Sequence, residues 1–344
     1  MELTSRAIAF EISQSRRGES LFALHPIRPG GRTGQAGGGN RSSKLKCDCP
    51  ELTSRPLSGK CHNRSMTRKK LPIGIQTFAK IRENDAYYYV DKTRFALELI
   101  DQGSHFFLSR PRRFGKSLFL DTLKELFAGN VALFKGLYAE HHWDSSVRYP
   151  VLRFSFGGGV VRDEADLQVR LDAQLARLEE DAQLTPASIN TPERFRNLIR
   201  RLAQQTGQRV VVLIDEYDKP ILDRIEEPEK ALGIREGLKD FYSVIKDSDE
   251  YIRFAFLTGV SKFSKVSLFS GLNNLNDITI DPPFSSICGY TDQDVDDVFA
   301  SELAGFDRKD IRRWYNGYNW LGESVYNPFD LLLLFHKRQF RLYW

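Results

Sequence analysis

The chain has 344 residues, 28% of them Asp, Glu, Lys or Arg, and a formal net charge of +5. The first 70 residues carry 14 Lys/Arg against 5 Asp/Glu, while residues 71–344 carry 36 against 40, so the basic balance is weak evidence that the folded part binds nucleic acid. The longest apolar runs, 210–214 and 331–335, fall far short of the roughly 20 residues that span a bilayer, and four cysteines supply no disulfide framework, so a reducing cytoplasm is expected.

Residues 1–68 read as a basic leader. Their apolar residues are sparse and aperiodic, too few to offset the entropy of ordering, so disorder is expected. A second reading starts the chain at Met66, just before the first sustained apolar pattern at 71–75; a native protein whose N-terminus lies well before Met66 excludes it. Cys47, Cys49, Cys61 and His62 are zinc-type donors, but their spacing matches no common pairing and no strand or helix flanks them. Deleting residues 1–65 is expected to leave melting temperature and nucleotide affinity nearly unchanged, which thermal melts of both lengths check.

Beyond the leader, 87–90 is a short β-prone run, and 94–102 is a helix ended by Gly103. A short apolar strand at 105–109 leads through the basic loop 110–115 into a helix from Lys116, with Leu118, Leu120, Leu123, Leu126 and Phe127 at helical spacing. A second strand at 151–156 ends in Gly157-Gly158-Gly159, and helices follow near 163–182 and 192–205. In the run 209–215 every residue between Arg209 and Asp215 is apolar and most are β-branched, as a central parallel strand covered on both faces must be. A helix near 229–246 and a strand at 252–258 complete an alternation that predicts an α/β fold, a parallel sheet with helices on both sides. From Gly289 onward the pattern is of short helices and aromatic turns.

Two segments carry chemistry. Gly115-Lys116-Ser117 stands between a strand and a helix, where a P-loop G-x-x-x-x-G-K-[ST] cradles phosphate with backbone N–H groups, Lys and a Mg²⁺-binding hydroxyl. Arg110 replaces the first glycine, which implies a different turn. Arg112, Arg113 and Lys116 gather at a helix N-terminus, where the dipole disfavours cations, so the cluster calls for an anion. The second segment ends the strand 210–214 in Asp215-Glu216, the Walker B form: Asp215 is placed to hold Mg²⁺ and Glu216 to polarise the attacking water. Thr258, closing the strand at 252–258, stands where ATPases with an extra strand between the two Walker strands carry a γ-phosphate sensor; a plain strand-end cap is the alternative.

The segments 71–76, 89–93, 108–117, 213–220, 256–264, 271–277, 288–291 and 314–318 together resemble the bacterial AAA-ATPase-like family that is often fused to a C-terminal PD-(D/E)XK nuclease-like domain. The form Arg110-Pro111-Arg112-Arg113-Phe114-Gly115-Lys116-Ser117 is similar to that family's own phosphate loop. The resemblance implies a three-layer P-loop NTPase fold of the additional-strand, AAA-like class with a small C-terminal helical region, divided as 69–288 and 289–344. It implies ATP and Mg²⁺ as ligands, with Arg112, Arg113, Phe114, Gly115, Lys116 and Ser117 around the phosphates. Ser117 and Asp215 are then the metal ligands, and Glu216 and Thr258 the catalytic pair. Asp91 falls in a stretch that flanks adenine in related ATPases; a helix cap is its bland alternative. Trp314, Tyr315, Tyr318 and Trp320 read as the core of a small lid. Mg-dependent hydrolysis coupled to conformational change is the expected function, against a nucleotide-gated module with little turnover. Nucleic acid or a nuclease-like domain is the partner in fuller members, self-association is left open, and no D-x(n)-[DE]-x-K strand pair closes this chain.

Overall fold

The computed structural model describes residues 68–188, 190–261 and 274–343. The leader, with its candidate zinc donors, and the segment carrying Lys262 and Lys265 lie outside them. In chain order the main elements are α1 (Phe78–Arg82), α2 (Thr93–Gln102), β1 (His105–Ser109), α3 (Lys116–Phe127), α4 (Ala139–His142), β2 (Val151–Ser155), α5 (Glu164–Asp181) and α6 (Thr191–Thr206). They continue through β3 (Val210–Asp215), α7 (Lys219–Leu222), α8 (Pro228–Asp247), β4 (Ile252–Gly259) and β5 (Asn276–Asp277). The C-terminal region adds α9 (Asp292–Val298), α10 (Arg308–Tyr315), β6 (Asn316–Tyr318), β7 (Val325–Tyr326) and α11 (Pro328–Lys337).

Five strands form one sheet in the order β2-β3-β4-β1-β5, every pairing parallel. Strands alternate their side chains between faces, and the sequence supplies apolar residues for both. Val210, Val212 and Ile214 enter one core with α5, α6 and α8, while Val211 and Leu213 enter another with α2 and α3. This is the three-layer α/β fold expected of a P-loop NTPase-like domain. The strand that separates β1 from β3 in space is β4; the strand at 151–155, which precedes β3 in the chain, is the outer neighbour of β3 instead.

Local chemistry sets most element ends. Asp163 and Asn190 accept hydrogen bonds from N3 amides at the starts of α5 and α6, and Gly207, at φ +66°, ends α6. The run 87–90 is extended but forms no strand: among the described residues its only ladder pairing is an isolated parallel bridge between Tyr87 and Lys70. Its side chains alternate because Tyr88 and Val90 are buried in the C-terminal core, while Tyr89 packs on Phe78 at 5.3 Å. Period-two burial was there without a neighbouring strand.

The C-terminal core gathers Val295, Phe299, Ile311, Tyr315 and Tyr326 with Tyr88 and Val90 from the other end of the chain. Leu331, Leu332, Leu334 and Phe335 are buried in it, so the apolar run at 331–335 finds its cover within the described residues. Trp320 and Val325 pack instead with β1 and α3, so one apolar core runs across position 288. No described helix is long and apolar enough to cross a membrane.

Candidate functional site

The loops that follow β1 and β3 meet the C-terminal region around a cavity of about 430 Å³. Its polar side is formed by Arg112, Arg113, Phe114, Gly115, Lys116, Ser117 and Glu216; Tyr88, Tyr89, Val90, Cys288, Tyr290 and Phe329 are among the residues of its other walls.

The loop from β1 to α3 turns on Gly115, whose φ of +92° is left-handed backbone that glycine adopts without strain. No side chain caps α3 and no acidic residue stands in its first turn. The first amides of this twelve-residue helix therefore face the cavity unneutralised, as an anion requires. The Lys116 ammonium is buried and donates to the carbonyls of Arg110 at 2.7 Å and Pro111 at 2.9 Å. No described carboxylate lies within ion-pair distance of it, and burial pulls its pKa down, opposed by the charges of Cys288, Asp218, Asp215 and Glu216.

Arg112 and Arg113 line the same cavity as Lys116, while Arg110 does not. Arg110 points away from the cavity: its buried guanidinium donates to the carbonyls of Ser109 (2.9 Å), Thr279 (2.7 Å) and Phe284 (3.1 Å) and lies 4.0 Å over Trp320. Burial lowers its pKa to about 10. The space a first-position glycine would leave is used here for an arginine that ties the loop's start to the segment before Cys288. The ring of Phe114 is also turned inward, edge-on to Tyr318 (4.7 Å) and Trp320 (5.4 Å), so what it offers an anion is its backbone amide. Arg113 stacks 3.9 Å over Phe329. Its charge opposes the burial that pushes the neighbouring Asp330 carboxyl up to about 6. Arg112 is exposed at the cavity edge.

Asp215 and Thr258 end adjacent strands and meet: the Thr258 hydroxyl donates to Asp215 Oδ1 at 2.7 Å, with both residues buried. Neither lines the cavity. Glu216 does line it, with a backbone φ of +55°. Burial raises its pKa, and Asp215 raises it further.

Asp218 and Lys219 brace this end of the sheet. Asp218 Oδ2 accepts from Val260 N, Ser261 N and Ser261 Oγ at 2.6–2.9 Å, and Lys219 donates to Gly159 O at 2.7 Å and pairs with Asp223 at 2.6 Å. A Cβ on Gly259 would lie 2.3 Å from the Tyr217 ring and 2.9 Å from Asp218 Oδ1, both buried. Gly259→Ala is therefore expected to cost about 1–3 kcal/mol through overpacking, read as a lower melting temperature. A wild-type melt would show that the Tyr217 ring moves freely.

Asp91 stands outside the cavity as a cap. Its Oδ1 accepts from Thr93 N and its Oδ2 from Tyr138 N, at 2.8 and 2.7 Å. Lys92 lines the cavity in its place and donates to Asp294 of α9 at 2.7 Å. Pro328, Phe329 and Leu332 of α11 are cavity residues that the sequence did not single out. Asn327-Pro328 does mark a helix start, but nothing local to it says what that start faces. The other walls, at 72–76 and 287–290, overlap segments that carried the family resemblance.

Of the two residues expected to hold Mg²⁺, Ser117 lines the cavity and Asp215 does not; one hydroxyl and one carboxylate would suit an ion that keeps waters and phosphate oxygens rather than an all-protein cage. Among the described residues no group of three or more His, Cys, Asp or Glu could hold a metal by itself.

A protein of Azotobacter chroococcum mcd 1, described as an uncharacterized protein in the vnfD 5′ region, is 66% identical over 279 residues, covering 81% of this chain and 54% of that protein. The chain thus spans about half the length of this relative. The family model described as a predicted AAA-ATPase matches residues 72–269. That match takes in the loop after β1, the carboxylates after β3 and the whole of β4, and it covers over half the chain, which places the protein in the AAA-ATPase-like family.

Proposed function

We propose that the protein binds ATP with Mg²⁺ in the 430 Å³ cavity and hydrolyses it, coupling turnover to movement of the C-terminal region. One observation carries the reading: the uncapped N-terminus of α3, the buried Lys116 without a carboxylate partner and the Glu216 carboxyl all face one cavity. The amides of 113–117 and Lys116 bind the phosphates. Ser117 and Asp215 hold Mg²⁺, which when bound neutralises charge that develops on phosphate oxygens. Thr258 fixes the rotamer of Asp215, and Glu216 accepts a proton from the attacking water. Tyr88, Tyr89, Val90 and Tyr290 give the base an apolar wall.

A nucleotide-gated module with little turnover is the second reading. It is favoured by the way the loop is held by the C-terminal region, through Arg113 on Phe329 and Phe114 against Tyr318 and Trp320. Phosphate release from Mg·ATP by the full chain, measured with and without DNA, separates the two. Sustained release supports hydrolysis, and ATP binding without release supports the gate. Stimulation by DNA would extend to this chain the nucleic-acid partner that the family resemblance implies.

A further inference from the structure

The triple glycine that follows β2 after Phe156 begins beside Glu216, and its members are glycine for different reasons. Gly159 has a φ of +71°, and a Cβ there would lie 3.0 Å from Arg170, which holds the carbonyls of Gly158 and Val160. Lys219 holds the carbonyl of Gly159. Gly157 and Gly158 lie outside the left-handed region, so the backbone does not require glycine at either. A Cβ on Gly158 would meet nothing within 4 Å. A Cβ on Gly157 would lie 3.3 Å from Glu216 Oε2, tight enough that the carboxylate would have to give by a few tenths of an ångström, and in ordinary contact, 3.5 Å, with its Cδ.

Glu216 is directed there by its own backbone. Its φ of +55° is costly for a glutamate. The conformation is held by the Tyr217 amide donating to Thr258 O at 2.9 Å and the Lys219 amide donating to Glu216 O at 3.0 Å. The side chain thus leaves β3 toward the end of β2, and the gap over Gly157 is where its carboxylate rests.

We infer that Gly157 is a positioning residue for the carboxylate of Glu216, which rests against the space a side chain at 157 would enter. The inference rests on the proposed role of Glu216 in hydrolysis, but where the carboxylate sits can be read without turnover. Gly157 and Gly158 are both exposed, so alanine at either leaves folding intact.

The test compares Gly157→Ala with Gly158→Ala in the full chain, by the Glu216 side-chain ¹³C chemical shift at one fixed pH, assigned against Glu216→Gln, and by kcat and KM for Mg·ATP. In Gly157→Ala the added methyl displaces the carboxylate, so its resonance should move. A shift of a few tenths of an ångström should lower kcat about tenfold with KM within about twofold, since about 1 Å of misplacement is worth about 10². Gly158→Ala should match wild type in both. Gly157→Ala matching Gly158→Ala in chemical shift overturns the inference, as does a kcat loss with an unmoved resonance or a moved resonance with unchanged kcat. A wild type that releases no phosphate defeats the hydrolysis proposal alone, and the chemical shift still decides where the carboxylate sits.

Discussion

Glu216→Gln is expected to bind Mg·ATP like wild type and to turn it over about 10²–10⁴ times more slowly. The amide keeps the shape and hydrogen-bonding reach of the carboxyl and removes the base, and a base matters only while the water attacks. Burial and Asp215 both raise the Glu216 pKa, so the pH dependence has a definite sign. As pH falls through that raised value the carboxylate is protonated and turnover drops, with the acid limb above the ordinary glutamate range. In Glu216→Gln this limb should vanish from the residual rate. Single-turnover phosphate release across pH, alongside ATP binding by titration, reads both effects. Wild-type turnover in the variant would remove Glu216 from the chemistry.

Lys116→Ala is expected to weaken ATP binding itself, by roughly ten- to hundredfold. A charge-assisted contact is worth on the order of 1.5–3 kcal/mol, and each tenfold in affinity is about 1.4 kcal/mol. The ammonium also satisfies the carbonyls of Arg110 and Pro111, so its loss loosens the loop. Lys116→Met fills more of that volume without charge; a similar loss of affinity in both variants assigns the effect to charge rather than packing. Unchanged affinity in either would show that the loop's amides bind phosphate without the lysine.

The centre of the sheet was legible because its strands had to be apolar on both faces: β3 is six residues long and buried throughout. Its edges were less so. β5 is two residues, Asn276 and Asp277, with no apolar signal at all, and joins the sheet only by pairing with Phe106 and Phe107. At the site, the sequence pointed to Gly115-Lys116-Ser117 and Glu216, which the structure brings to one cavity. The direction taken by Arg110, Phe114, Arg113 and Asp91 was not legible. Each is settled by partners more than 40 residues away: Thr279, Trp320, Phe329 and Tyr138. A spacing rule carries no information about which side of a loop a guanidinium will choose when an aromatic face from a distant hairpin is on offer.

Trp320 receives both Arg110 and Phe114, the first and fifth residues of the loop from β1 to α3. It lies some 50 residues beyond the end of the stretch that the family model matches. The matched stretch therefore ends short of a residue that props its own phosphate-loop segment. The smallest excisable unit with that loop in its native shape reaches at least through β7. Boundaries drawn by family likeness would cut through the floor of the cavity.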